Sequence, residues 1–154
     1  MTELEIALKR PFELTELLWR SGYGNNNKEL VYVTARTYQN RLDKTLGVDG
    51  WQVSYEYLGD RMVCTVSCYI NGKWISKSDG AGATSIEGEK GGISDSFKRA
   101  CVAWGIARYL YYPNAFDGNR VPAKWATPEG YDEIMAKRFN ESIKEWKKDY
   151  EAAA

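Results

Sequence analysis

The chain predicts an α+β fold: a three-stranded antiparallel β-meander packed on one long helix, a β-β-β-α core, with flanking helices at both ends. Three observations carry this expectation. Two turn dipeptides, Gly59-Asp60 and Asn71-Gly72, punctuate a β-rich stretch over residues 51–78. Residues 94–113, SDSFKRACVAWGIARYLYYP, place apolar groups at three- and four-residue steps and end on a proline. A second helical stripe follows a Thr-Pro start at residues 127–128.

The N-terminal part is an acidic and apolar segment followed by Pro11 and ELTELLWR, where Thr15 is the expected cap of a short turn presenting Leu18 and Trp19. The next stretch, SGYGNNNKE, reads as a polar loop with no core-forming residues and expected mobility. Val31, Tyr32 and Val33 form a short β-prone run. Thr34 then opens a helix with Tyr38, Leu42 and Leu46 on one face, closed by Gly47. Arg36, Arg41 and Lys44 fall off that stripe, so the helix carries either a solvated polar face or a cationic element.

The two turns test each other across the meander. Pairing outward from Gly59-Asp60 sets Tyr57 opposite Met62, Tyr55 opposite Cys64 and Val53 opposite Val66. Pairing outward from Asn71-Gly72 sets Ile70 opposite Lys73 and Cys68 opposite Ile75. Both registers put Trp51, Val53, Tyr55, Tyr57, Met62, Cys64, Val66, Cys68, Ile70 and Ile75 on one face, which the long helix is expected to cover.

In that helix Ser94 is the expected N-cap and Asp95 sits in the first turn, where the dipole favours a carboxylate. Ile93, Phe97, Cys101, Trp104, Ala107 and Tyr111 make one stripe. Val102, Ile106 and Tyr109 lie on the far side, interleaved with Lys98 and Arg99, which predicts packing on two sides. The preceding KSDGAGATSIEGEKGG reads as a loop or extra hairpin; it lacks both GxGxxG and the GK[ST] of a phosphate-binding loop. After Pro113 a looping stretch leads to Thr127 and Pro128, the N-cap and first position of a last helix over 127–151. Met135, Phe139, Ile143, Trp146 and Tyr150 stripe one side of it.

Composition bounds the function. A chain of 154 residues predicts a single domain, with its core at about residues 9–113. Six Trp and eleven Tyr exceed what a small core needs, which points to interfaces or to flat ligands such as bases. The 21 basic residues balance 21 acidic ones, so no global field draws the protein to a polyanion, although the middle of the chain is mildly basic. Cys64, Cys68 and Cys101 lack CxxC spacing and no His is present, so they read as buried thiols of a reducing, cytoplasmic compartment. No apolar run reaches the ~20 residues of a membrane span.

Nucleophilic catalysis is poorly served without a His or an elbow motif. Asp79, Glu87, Glu89 and Asp95 cluster in sequence and define the alternative of a Mg²⁺-dependent nuclease, although their spacing matches no ligand motif. A second alternative is an adaptor whose apolar faces serve only protein contacts. The remaining constellation is cationic and aromatic: Lys98 and Arg99, with Arg36 and Arg41, suit a groove that tracks a phosphate backbone, and Tyr109 suits its wall. Pairing of these cations with surface acids is the competing reading.

KGGISDSFKRACVAWGIARYLY, preceded by SKSDGAGATSIE, closely resembles a signature of phage single-strand annealing proteins, the Sak-type relatives of the eukaryotic recombination mediator Rad-fifty-two. KRPF, LLWR, YVTARTYQNRLDKTLGVDGW and VSCYINGKWISK continue the resemblance in family order, over about residues 9–113. The resemblance implies the same β-β-β-α core and ATP-independent binding of single-stranded DNA. It also implies annealing of complementary strands in recombination and double-strand-break repair. Such proteins act as homo-oligomeric rings of many subunits with DNA in a positively lined outer groove, without a cofactor and without catalysis. A phage or prophage protein, and a host single-strand-binding protein as partner, follow as expectations.

Carried over by position, Lys98 and Arg99 match the family's KR pair. Arg36 falls one place from a DNA-contacting arginine, with Arg41 of NRLD as its substitute. Lys90, Arg108 and Tyr109 complete the candidate DNA-binding set; no catalytic or metal-ligating residue is assigned. Val48 and Val102 depart from the eukaryotic pattern, which has an aromatic and a basic residue there.

Overall fold

The computed structural model describes residues 1–22, 28–82 and 88–153, with the side chains of 88–91 outside that description. Residues 23–27 of the expected mobile loop, and Glu87, lie outside the described residues, whereas the loop's ends, Ser21 and Glu29, are strand.

Helix α1 (Glu3–Lys9) begins at Thr2, whose hydroxyl accepts from Glu5 N–H at 3.2 Å, and it buries Leu8. The short turn Leu14–Glu16 is held by Glu13 N–H donating to Glu16 Oε2 at 3.2 Å, so acidic side chains do the capping expected of Thr15. Leu18 and Trp19 are then part of a strand. β1 (Leu18–Ser21) pairs antiparallel with β2 (Glu29–Tyr32), setting Leu18 opposite Tyr32 and Ser21 opposite Glu29. This hairpin is the element that the sequence reading lacked. Helix α2 (Ala35–Leu46) buries Tyr38 and Leu42 and stops at Gly47, which adopts φ +82° as a C-terminal glycine should.

β3 (Trp51–Leu58), β4 (Arg61–Ile70) and β5 (Lys73–Gly82) form the antiparallel meander in the order β3-β4-β5. Every expected partner pair is present, from Tyr57 opposite Met62 to Cys68 opposite Ile75. The strands also take in residues to Gly82, so the first part of the Gly-rich stretch is strand rather than loop.

Helix α3 (Gly88–Ala103) lies on β4 and β5. It buries Phe97, Ala100 and Cys101 in one core with Cys64, Val66 and Cys68. The helix lies mainly over β4 and β5, and the expected covered face is only partly covered: Val53, Tyr55 and Tyr57 on β3 and Ile75 on β5 stay exposed. All three thiols are buried; desolvation pushes Cys64 and Cys68 up to about 11 and Cys101 further in the same direction.

The expected helix over 94–113 is displaced. It starts about two turns earlier, which leaves Ser94 inside it, and ends at Ala103 rather than at Pro113. Gly105 at φ +98° and Ala107 at φ +59° turn the chain away, and Ile106 N–H reaches back to Cys101 O at 3.1 Å. A Cβ at Gly105 would stand 2.7 Å from Lys9 Cγ, so the terminator is tied to α1. Trp104 closes the core beside the break: its Nε1–H donates to Val66 O at 2.9 Å, and Lys77 Nζ sits 4.9 Å from its ring. Beyond the break a short helical turn, Arg108–Tyr111, leaves Tyr111 exposed while Ile106 and Tyr109 are buried.

Helix α4 (Pro128–Ala153) is capped as its sequence predicts, with Gly130 N–H donating to Thr127 Oγ1 at 3.1 Å. Its first turns dock on the N-terminal segment through Tyr131 O–H to Ile6 O and through Arg10 to both oxygens of Asp132. The rest extends outward, with Phe139, Trp146 and Tyr150 at 64%, 63% and 65% exposure. No helix is long and apolar enough to cross a membrane among the described residues.

Candidate nucleic-acid interface

A cleft of about 1160 Å³ lies between the β1–β2 hairpin, the middle of α3 and the segment 110–120. The hairpin builds one wall by strand alternation. Arg20 and Tyr32 share one face of the two-stranded ribbon, while Trp19 and Glu29 share the other, each pair on the diagonal of the register. Each face therefore offers an aromatic ring beside a charged group.

Lys98 reaches the first face. Its Nζ stands 5.5 Å from the Tyr32 ring centroid, and the Arg20 guanidinium stands 5.5 Å from the same centroid. One phenol ring thus gathers two cations from two elements. Burial first, and then the positive charge of Arg20, lower the Lys98 pKa, with Asp95 opposing. A lysine so placed gains from any anion that enters, because the anion replaces both lost water and missing counter-charge.

Arg120 reaches the second face. Its guanidinium lies 5.2 Å from the Trp19 ring centroid, and Trp19 packs edge-on against Phe116 at 5.2 Å. The same guanidinium donates through Nε to Glu29 Oε2 at 2.7 Å and through Nη2 to Oε1. That paired bond lowers the Glu29 pKa and raises that of Arg120. Tyr111, Tyr112 and Lys28 line the remaining rim. Rings interleaved with cations in an open cleft suit a flexible polyanion with flat bases.

The expected site residues separate into several groups. Lys98 lines the cleft. Arg99, the next residue on the helix, points to the sheet side, where its Nε is 3.5 Å from Asp79 Oδ1. Arg36 is exposed at the start of α2, away from the cleft lining, with no hydrogen bond or ion pair among the described residues. Lys90 lies in the first turn of α3, and its side chain is outside the described part.

Three others have structural tasks. Arg41 Nη1 donates to the carbonyls of Ala7, Leu8 and Arg10 at 3.1, 3.2 and 2.6 Å, with its guanidinium 4.3 Å from the Phe12 ring centroid. Arg108 binds Val102 O and Ala103 O, capping the carbonyl end of α3. Tyr109 is buried and its hydroxyl accepts from Phe12 N–H at 3.0 Å, so it is core rather than cleft wall. Of the acidic candidates, Asp79 faces Arg99 and Asp95 is exposed. Among the described residues no three His, Cys, Asp or Glu side chains gather as a metal site.

Trp19, Arg20, Tyr32 and Arg120 are the cleft residues that sequence reasoning missed. Two β-prone runs flanking a Gly/Asn loop were a usable signal for the first three. Arg120 offered none, because a loop fold brings it to the hairpin.

Residues 1–119 match the model of the Rad52/22 family double-strand break repair protein. The chain is also similar to two single-stranded DNA-binding proteins named DdrA. That of Deinococcus radiodurans is 28% identical over 132 residues, covering 82% of this chain and 59% of the relative. That of Deinococcus deserti is 28% identical over 148 residues, covering 84% of this chain and 72% of the relative. The chain therefore spans about three-fifths of the length of the first of these relatives.

Proposed function

The chain belongs to the Rad52/22 family of double-strand break repair proteins, and from that membership and the cleft we propose that it binds single-stranded DNA and anneals complementary strands. The observation that carries the reading is that cations from three separate elements meet the rings of the hairpin, Lys98 and Arg20 at Tyr32 on one face and Arg120 at Trp19 on the other. Cations bind phosphates irrespective of sequence, and rings accept any base face. A strand held by its backbone keeps base edges free to meet a complement, which requires neither nucleotide hydrolysis nor base readout. The DdrA relatives, named as single-stranded DNA-binding proteins, support the same ligand.

Assembly into a homo-oligomeric ring belongs to this proposal. A chain with equal numbers of acidic and basic residues tracks DNA weakly alone, whereas clefts set in a row sum their contacts. Exposed Val53 and Tyr55 on β3 and the bare stripe of α4 supply apolar surface for such contacts. The test is the annealing rate of two complementary labelled oligonucleotides at low salt, in EDTA and without nucleotide. Acceleration by the wild type, reduced in Lys98→Ala, is expected. No acceleration would remove the annealing reading, and strand cleavage on adding Mg²⁺ would return the nuclease.

A further inference from the structure

We propose that Arg120 is a phosphate-binding residue of the cleft and that Glu29 occupies it in the strand-free protein, so that binding exchanges a carboxylate for a phosphate. The inference rests on the single-stranded DNA reading above and adds a subsite to it. Arg120 lies one residue beyond the stretch that matches the family model.

Arg120 is held in position from both ends. Its backbone adopts φ +63°, unusual for an arginine, in a turn where Asp117 Oδ1 accepts from the N–H groups of Asn119 and Val121 at 2.8 Å each. Phe116 and Pro122 bridge the base of that turn. The side chain lies on Trp19, whose ring is set by Phe116. The planar fork is thus aimed along the hairpin face before any ligand arrives.

Glu29 engages that fork with two oxygens, the geometry that phosphate shares with carboxylate. The pair is open to solvent, with 52% of the Arg120 side chain and 43% of the Glu29 side chain exposed. An open pair is easily exchanged, since exposed ion pairs contribute little. Lys98 and Arg20 line the same cleft from the other face of the hairpin, so a strand that wraps the hairpin meets both cationic faces.

The alternative is that the pair only staples the hairpin to the 116–122 turn. The two readings predict opposite signs. Fluorescence anisotropy with labelled oligo-dT should show about two- to fivefold tighter binding for Glu29→Gln, because the competing carboxylate is gone. Arg120→Ala should bind more weakly, with the salt slope shallower by about 0.7 for one lost phosphate contact. In the Arg120→Ala background, Glu29→Gln should bring no gain. Weaker or unchanged binding by Glu29→Gln, in a protein whose thermal melt matches wild type, would overturn the exchange. An equal gain in both backgrounds would also overturn it, since Glu29 would then act as general negative charge. Wild type that ignores oligo-dT removes the underlying reading. Wild-type binding weakened by Lys98→Ala, with no gain from Glu29→Gln, removes this inference alone.

Discussion

Lys98 and Arg99, adjacent in sequence, serve different surfaces: Lys98 Nζ stands over the Tyr32 ring in the cleft, while Arg99 Nε faces Asp79 on β5. One residue step on a helix is a rotation of about 100°, so two neighbours cannot both line one narrow groove. A basic dipeptide that reads as a pair of DNA contacts is split by the geometry of α3.

The single variants should therefore differ. Lys98→Ala is expected to weaken oligo-dT binding and to flatten the salt slope by about 0.7. Arg99→Ala, which leaves the cleft intact, should change affinity less at one protomer's cleft. Anisotropy titrations at several salt concentrations check this, and equal losses would place both cations on the strand.

Arg41→Ala should act on stability before it acts on DNA. The guanidinium satisfies three carbonyls at the end of α1, and removing it leaves them facing a half-buried gap. Breaking several bonds to one charged donor is expected to cost about 2–4 kcal/mol, given about 1.5–3 kcal/mol for a single bond to a charged group. Urea unfolding measures the loss. A fully stable variant with weakened DNA binding would instead make Arg41 a strand contact.

Trp104→Ala should be among the most damaging core changes. The ring closes the break after α3, and its N–H is the partner of Val66 O. Large aromatic-to-Ala substitutions cost about 3–5 kcal/mol, and Trp104→Phe should cost less by keeping most of the packing. Urea midpoints of the two variants check the order.

The residues that made the sheet legible are local. Gly59-Asp60 and Asn71-Gly72 each set a register, and strand parity puts both on one face, of which α3 buries the β4 residues. Thr127 and Pro128 announced α4 for the same reason. What escaped depended on distant chain. Gly105 turns the chain at φ +98° just after α3, and Lys9 fills the space that a Cβ there would need. Arg41, Arg108 and Tyr109 read as available polar groups until Ala7, Val102 and Phe12 are seen to occupy them. The cleft needed both the hairpin and a turn near residue 120, and only Lys98 among its cations carried a motif.

Alkaline pH should unfold the protein cooperatively. Desolvation raises Cys64 and Cys68 from 9.0 to about 11, and Tyr109 from 10.0 to about 12. Each folded value lies above the unfolded one, so the stabilisation is complete below about pH 9 and is lost as pH climbs through 11 and 12. Urea midpoints should hold constant from pH 7 to 8.5 and fall steeply above pH 10. A flat profile to pH 11 would mean that these groups reach water in the folded state.

The stripe of α4 gives the sharpest test of assembly. Phe139, Trp146 and Tyr150 are largely bare, and Trp146 stacks on Tyr150 at 5.3 Å with an 18° angle between rings. Their spacing puts them on one side of a helix whose first turns alone are anchored, through Tyr131 and Asp132. A bare aromatic stripe of this kind is stable in water mainly when another surface covers it, and a second copy offers exposed Val53 and Tyr55 as apolar surface. Phe139→Ser with Trp146→Ser should leave the urea midpoint of the core near wild type, because neither ring touches it. Light scattering after size exclusion should show a smaller assembly than wild type, and annealing should slow with it as clefts are no longer summed along a strand. An unchanged mass would mean that the α4 stripe does not join subunits.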